Sequence, residues 1–360
     1  MSSQLHPLGY NSKIAKLSSG HHLRYVDIHP PQGTAPIVTV LLIHGFPDSA
    51  YGWRHQVKGW SQRGIRLIVP DTIGYTGSSQ PTDPQEYSMK SQSDDLEELV
   101  RQAGVSENEK IVLVAHDWQG RNHCFADGSI QTGSRERSCQ SRYSIHPTVS
   151  SICSSGSTGA DLSEFWISAI LCIASFERGN GFKCMLPFQF IAEKFINALY
   201  SSPAKFASAE VPQFEKAGVL ERWLQDQSQM TKSDILSKEA SAFLVSYWAV
   251  KELDTIISQI KAGVGFSAML NYYRTTQINY ELEKDLPQEF RPDMPKLLIL
   301  PTADPALPAD ILAQAQQGAK GVEIVWLEGA GHWLMLERPQ EVESLVGEWV
   351  EKMVAQDWTI

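Results

Sequence analysis

Short apolar runs punctuate the chain at residues 23–27, 37–44, 66–71, 110–115, 296–300 and 322–327. Several are unbroken, as in Ile111-Val112-Leu113-Val114-Ala115, the pattern of strands covered on both faces. Amphipathic stretches at 49–62, 90–103 and 340–355 read as helices between them. Such alternation predicts an α/β protein, with a mostly parallel sheet flanked by helices. It stops near Gly120 and resumes near Lys296. Residues 161–290 read as mainly helical and rich in aromatics, so an inserted helical lid is expected beyond the C-terminal edge of the sheet, where open α/β folds bind ligands. The expected domains are a core of residues 1–160 and 291–360 and a cap of residues 161–290.

Composition narrows the function classes. With 360 residues, 42% of them hydrophobic, the chain can bury a large core. The net charge of −10 and the lack of a long basic run argue against a nucleic-acid partner. No signal-peptide h-region opens the chain, which predicts a cytoplasmic protein. The apolar run at 165–176 is too short to span a bilayer, so no membrane partner is expected. The cysteines Cys124, Cys139, Cys153, Cys172 and Cys184 form no C-x-x-C pair, so neither a zinc site nor a redox dithiol is indicated. No metal or organic cofactor is expected, and the oligomeric state is open.

The chemistry begins where the 110–115 run ends, at His116-Asp117-Trp118-Gln119-Gly120. A strand-to-helix elbow at such a place exposes one side chain above the sheet. Its usual occupant is serine; here it is Asp117. A carboxylate nucleophile gives an alkyl ester, which suits attack on an sp³ carbon bearing a leaving group, as in epoxides and haloalkanes. Such a nucleophile needs an oxyanion hole, a base for water and an acid to orient the base. His44-Gly45-Phe46-Pro47 follows a strand, and the N–H groups of Phe46 and Trp118 can form the hole. His332, in Glu328-Gly329-Ala330-Gly331-His332-Trp333 after the last strand, is the expected base, with His116 the alternative. Asp304, after the penultimate strand, is the expected orienting acid. The order nucleophile, acid, histidine is that of the α/β-hydrolases.

With these residues in place the chain resembles the soluble epoxide hydrolase family of the α/β-hydrolase fold. The resemblance rests on His44-Gly45-Phe46-Pro47-Asp48-Ser49, Trp53-Arg54-His55-Gln56, Asp71-Thr72-Ile73-Gly74-Tyr75, His116-Asp117-Trp118, Leu270-Asn271-Tyr272-Tyr273-Arg274, Asp304-Pro305-Ala306-Leu307-Pro308 and Gly331-His332-Trp333. It implies an α/β-hydrolase fold with a helical cap and hydrolysis of a small apolar epoxide by water to a vicinal diol. By the same resemblance Tyr273 is a lid tyrosine that protonates the epoxide oxygen, and Tyr200 is the candidate second tyrosine, with Tyr247 the fallback. Trp118, Tyr272 and Tyr273 are the expected substrate contacts. The alternatives are a haloalkane or haloacid dehalogenase with the same triad and an inactive member.

One stretch departs from the pattern. Residues 121–160 are rich in Ser, Gly, Arg and Cys and show no sustained apolar period, so the helix and strand expected after the elbow read as disrupted. Losing about five large buried side chains, at roughly 1.5–3 kcal/mol each, rivals the stability of a whole domain. Back-translated with permitted codons and read one base later, residues 121–147 yield an apolar helical run closed by proline. The stretch is therefore compatible with a reading-frame error, which would leave the chain as written unstable or inactive.

Overall fold

The computed structural model describes residues 5–117, 145–147, 188–212, 219–226, 231–238, 247–284, 295–305 and 322–356. Its strands are β1 (Ser12–Lys16), β2 (His22–Ile28), β3 (Val38–Ile43), β4 (Ile65–Pro70), β5 (Ile111–Ala115), β6 (Ile145–Pro147), β7 (Leu297–Pro301) and β8 (Glu323–Leu327). The first six form a sheet in the order β1-β2-β4-β3-β5-β6, and β7 and β8 form a second ladder. β1–β2 and β2–β4 pair antiparallel and the remaining pairs are parallel, so the sheet is mixed. Every residue of β3, β4, β5 and β7 is buried, as their unbroken apolar sequences require.

β1 carries no sequence signal because only Ala15 in it is buried; lysines flank an edge strand whose ladder, rather than its side chains, holds it. β6 corrects the reading of 121–160. Ile145–Pro147 pairs parallel with β5 from Ile111 to Leu113, so a strand is present where one was read as disrupted. The rest of that stretch lies outside the described residues.

The helices are α1 (Val57–Gln62), α2 (Met89–Gln102), α3 (Phe188–Leu199), α4 (Pro203–Ala207), α5 (Val219–Gln225), α6 (Ile235–Lys238), α7 (Tyr247–Ala262), α8 (Thr276–Glu283), α9 (Leu334–Glu337) and α10 (Pro339–Ala355). α2 starts where the Ser88 hydroxyl accepts the Ser91 N–H, satisfying a first-turn donor. α10 starts with Pro339, whose missing N–H costs nothing at that position, and buries Val342, Val346, Trp349, Val350 and Met353 along one face.

Residues 49–62 are not one helix. They form a 3-10 turn at Ala50–Trp53 and then α1. Gly52 lies so close to the Asp48 carboxylate that a Cβ would fall 1.9 Å from Oδ2. Between the two pieces the buried Gln56 donates its amide to the Met335 carbonyl at 2.8 Å. The restart also buries both Trp53 and Trp60, whose rings lie 6.1 Å apart.

The described residues from 188 to 283 are mainly helical, with a 3-10 segment at Met269–Arg274. The Arg54 Nε donates to Glu252 Oε1 at 2.8 Å, the Val264 N–H to Gln80 Oε1 at 2.8 Å and the Met89 N–H to Asn279 Oδ1 at 2.9 Å, tying this segment to the sheet side. The expected cap boundaries, 161 and 290, lie outside the described residues, as does the apolar run 165–176. Among the described residues, no helix is long and apolar enough to cross a membrane.

Candidate active site

Four strand ends converge, and the first two belong to β3 and β5. The His116 N–H donates to the Ile43 carbonyl at 3.1 Å, carrying the β3–β5 ladder past its last strand residue. This brings the His44–Pro47 loop against Asp117. Asp117 has φ of 63°, one of two positive values among the described non-glycine residues. A side chain tolerates that conformation only when its surroundings impose it, and such strain concentrates at functional turns. Gly45 explains the imposition: a Cβ there would lie 2.4 Å from the Asp117 Cβ. The Phe46 N–H donates to Asp117 Oδ2 at 3.0 Å. Phe46 thus stands where the expected oxyanion donor should be. Its expected partner, Trp118, lies outside the described residues.

The other two ends belong to β7 and β8. The Ala303 N–H donates to the Ala330 carbonyl at 3.0 Å, and the Gly329 N–H to the Thr302 hydroxyl at 2.8 Å. These bonds bind the loop carrying Asp304 to the loop carrying His332. His332 Nδ1 lies 2.9 Å from Asp304 Oδ2, and Nε2 lies 3.7 Å from Asp117 Oδ1. Burial alone would lower the imidazole pKa, but Asp304 and then Asp117 outweigh it and hold it at about 9. His116, the alternative base, has its Nε2 2.9 Å from the His332 carbonyl, so this nitrogen carries the proton and donates. Burial, and next the neighbouring His332, push His116 down to about 4, leaving it neutral.

A buried acid backs this arrangement. Asp71 accepts from the Arg24 Nε at 2.7 Å and the Ala50 N–H at 3.2 Å, with His6 Nε2 at 3.0 Å. Burial would raise its pKa, but His6 and Arg24 bring it to about 2, so it stays charged. The Thr72 N–H donates to His44 Nε2 at 3.1 Å. The loop leading into Phe46 is therefore anchored to the end of β4.

The tyrosines fall in different places. The Tyr273 ring meets Phe46 edge-on at 5.6 Å, beside the Asp117 carboxylate's donor. Tyr272, the expected substrate contact next to it, instead donates its hydroxyl to the Ile73 carbonyl at 2.7 Å and packs edge-on against Tyr87. It fastens the 269–274 turn to the core. Tyr200 is fully buried, stacked on Trp333 at 4.1 Å and 6°. Its hydroxyl feels the Asp48 carboxyl most strongly among its charged neighbours, and Asp117 least. Tyr200 thus packs against the residue that follows His332, with Asp48 and Asp117 both acting on its hydroxyl. Tyr247 is the first residue of α7. Two aromatics not expected from the sequence complete the wall: Phe195 of α3 and Phe266 lie 6.5 and 6.3 Å from Phe46 and 5.6 Å from each other. Their only signal was the density of aromatics in 161–290.

An aspartate on a strained elbow, a backbone donor aimed at it and a histidine–aspartate pair on the adjoining loops define an α/β-hydrolase site. The chain belongs to the alpha/beta hydrolase family, whose model matches residues 157–345, and a second model, of the alpha/beta hydrolase fold, matches residues 38–124. The stretch between these matches falls within the compositional break. The chain is 26% identical over 348 residues to epoxide hydrolase srdG of Neurospora crassa, covering 89% of this chain and 88% of that one. It is 29% identical over 341 residues to epoxide hydrolase A of Mycobacterium tuberculosis, covering 92% and 95%. Among solved structures, epoxide hydrolase A of Mycobacterium thermoresistibile superposes with a TM-score of 0.66 at 24% identity, over 95% of this chain and 98% of that one. An epoxide hydrolase from an endophytic Streptomyces gives 0.68 at 22% identity, over 95% of each chain. These superpositions establish the shared fold.

Proposed function

We propose that the protein hydrolyses an apolar epoxide to a vicinal diol through an ester on Asp117. The carrying observation is the Phe46 N–H donating to the carboxylate of an aspartate held at positive φ, 3.7 Å from a histidine paired with a second aspartate. In the first step an Asp117 oxygen attacks an epoxide carbon, the C–O bond breaks, and Tyr273 gives its phenolic proton to the departing oxygen. In the second, His332 takes a proton from water, and the resulting hydroxide attacks the ester carbonyl carbon. Phe46 and Trp118 donate to the oxyanion until the alkoxide leaves, protonated by His332, and the proton left on the Asp117 carboxyl returns to the Tyr273 phenolate through solvent. Asp304 holds the imidazole in the tautomer this requires.

Ester formation itself readies the base. While Asp117 is anionic, His332 is stabilised as the cation. Esterification removes that charge, so the imidazole becomes easier to deprotonate when a base is needed. Phe195, Phe266 and Tyr273 present an apolar wall suited to an aromatic or aliphatic epoxide. The helical segment acts as the lid, excluding bulk water from the ester. The relatives favour this reading over the dehalogenase and inactive alternatives.

Multiple turnovers in ¹⁸O-water, followed by peptide mass analysis, test the mechanism. Label entering the Asp117 carboxyl is expected, because hydroxide adds to its carbonyl carbon. Diol formed without label at Asp117 would overturn the covalent route.

A further inference from the structure

Glu337 ends α9, five residues beyond His332. Its side chain turns back to the histidine loop. Oε2 accepts the Gly331 N–H at 3.0 Å, and Oε1 accepts the Trp333 N–H at 3.1 Å. One carboxylate thus grips the amides immediately before and after His332. Gly331 leaves the space: a Cβ there would lie 2.8 Å from Glu337 Oε1 and 2.9 Å from Pro203. From the opposite side His116 donates to the His332 carbonyl.

We propose that Glu337 is a positioning residue for the base, holding the main chain on both sides of His332 so that the imidazole meets the ester on Asp117. The proposal rests on the reading of Asp117 as nucleophile and His332 as base. Four titratable groups face His332: Asp304 beyond β7, Asp117 and His116 at the end of β5, and Glu337 on α9. Arg338, next in the chain, donates to the Glu337 carbonyl oxygen. Glu337 adds to the negative field that favours the imidazolium. Carboxylate-to-amide bonds are among the stronger hydrogen bonds, and two on one loop restrict its translation. Displacing a reacting group by about 1 Å can slow a step by about 10².

Glu337→Gln keeps the shape of the side chain but gives up one acceptor and the charge. Glu337→Asp keeps the charge and shortens the reach. Enzyme mixed rapidly with styrene oxide is quenched at intervals, and the Asp117 peptide is weighed. The expected result is ester formation at the wild-type rate and ester lifetimes lengthened about tenfold or more in Glu337→Gln, with Glu337→Asp between. The His332 imidazole titration, followed by NMR, should move to lower pH in Glu337→Gln and return towards wild type in Glu337→Asp. A role limited to capping α9 would lower the melting temperature and leave the ester lifetime unchanged. An ester lifetime within about twofold of wild type in folded Glu337→Gln would overturn the proposal; should that variant not fold, the same result in Glu337→Asp would do so. If wild-type enzyme forms neither ester nor diol, the reading of the reaction fails instead. The proposal, which rests on that reading, falls with it.

Discussion

The end of β5 carries a buried histidine and the loop after β8 a half-buried one, and the two rings lie 5.1 Å apart. His116 has a pKa of about 4 and His332 of about 9. Burial lowers both. The difference comes from what each ring nitrogen meets. His116 spends Nε2 on a neutral carbonyl, whereas His332 sits between two carboxylates. The two ends also hold their key residue differently. At β5 the constraint is steric, with Gly45 pressed against Asp117 in a strained backbone. At β8 it is a set of hydrogen bonds around a loop that turns at Gly329, where φ is 67°. On the proposed mechanism Asp117 is a nucleophile that must be aimed and stay aimed, which rigid contact does well. A base must gain and lose a proton, which calls for tunable charge.

The sharpest way to break this comparison is at β5. Asp117→Asn should abolish both ester formation and diol release, with turnover falling by at least ~10³, read by product chromatography. His332→Asn should spare the first step and block the second, so that one equivalent of ester accumulates on intact-mass analysis while turnover falls by about 10³. If both variants block at the same step, the division between the two ends is wrong. Protonation gives the third test. His332 must be neutral to activate water, and the free protein holds it cationic below about 9. With the Asp117 charge removed by esterification, the acid limb of single-turnover ester hydrolysis should lie well below pH 9. A limb at 9 would mean that Asp117 contributes nothing to the tuning. The smallest effect is expected from His116→Asn. Losing a donor to the His332 carbonyl should cost about 1–3 kcal/mol in denaturant unfolding and slow ester hydrolysis about tenfold, without touching ester formation.

Much of this contrast could be read beforehand, and the reasons are local. β3, β4 and β5 are apolar throughout because both faces are covered, so their ends, and hence Phe46 and Asp117, could be located from pattern alone. Asp304 followed because it comes just after β7, a strand of the same kind, and His332 because it follows β8, whose Ile324-Val325-Trp326-Leu327 is apolar in sequence although only Leu327 is buried. β1 was invisible because its pairing uses backbone groups and only one side chain is buried. Tyr272 and Tyr273 are adjacent and chemically identical, and only the fold sends one hydroxyl to the Ile73 carbonyl while the other ring meets Phe46. Tyr200 has the composition of a lid acid but stacks on Trp333, a choice fixed by how α3 lies against the β8 loop. Glu337 gives no motif at all, since its reach back to Gly331 and Trp333 depends on the short turn of α9 between them.

Trp333 follows the base directly, donates its indole N–H to the Leu199 carbonyl at 2.6 Å and carries the Tyr200 ring on its face. The aromatic packing at Tyr200 and Trp333 is therefore continuous with the His332 loop, and Phe195, one turn before Leu199 on α3, is tied to it through that helix, whereas Phe266 lies on a separate segment. For a protein engineer these positions are not equivalent. On the proposed function, libraries at Phe266 change which substrates are accepted while leaving the histidine where it is. Libraries at Tyr200 or Trp333 alter selectivity and reactivity together, and their hits will be hard to combine.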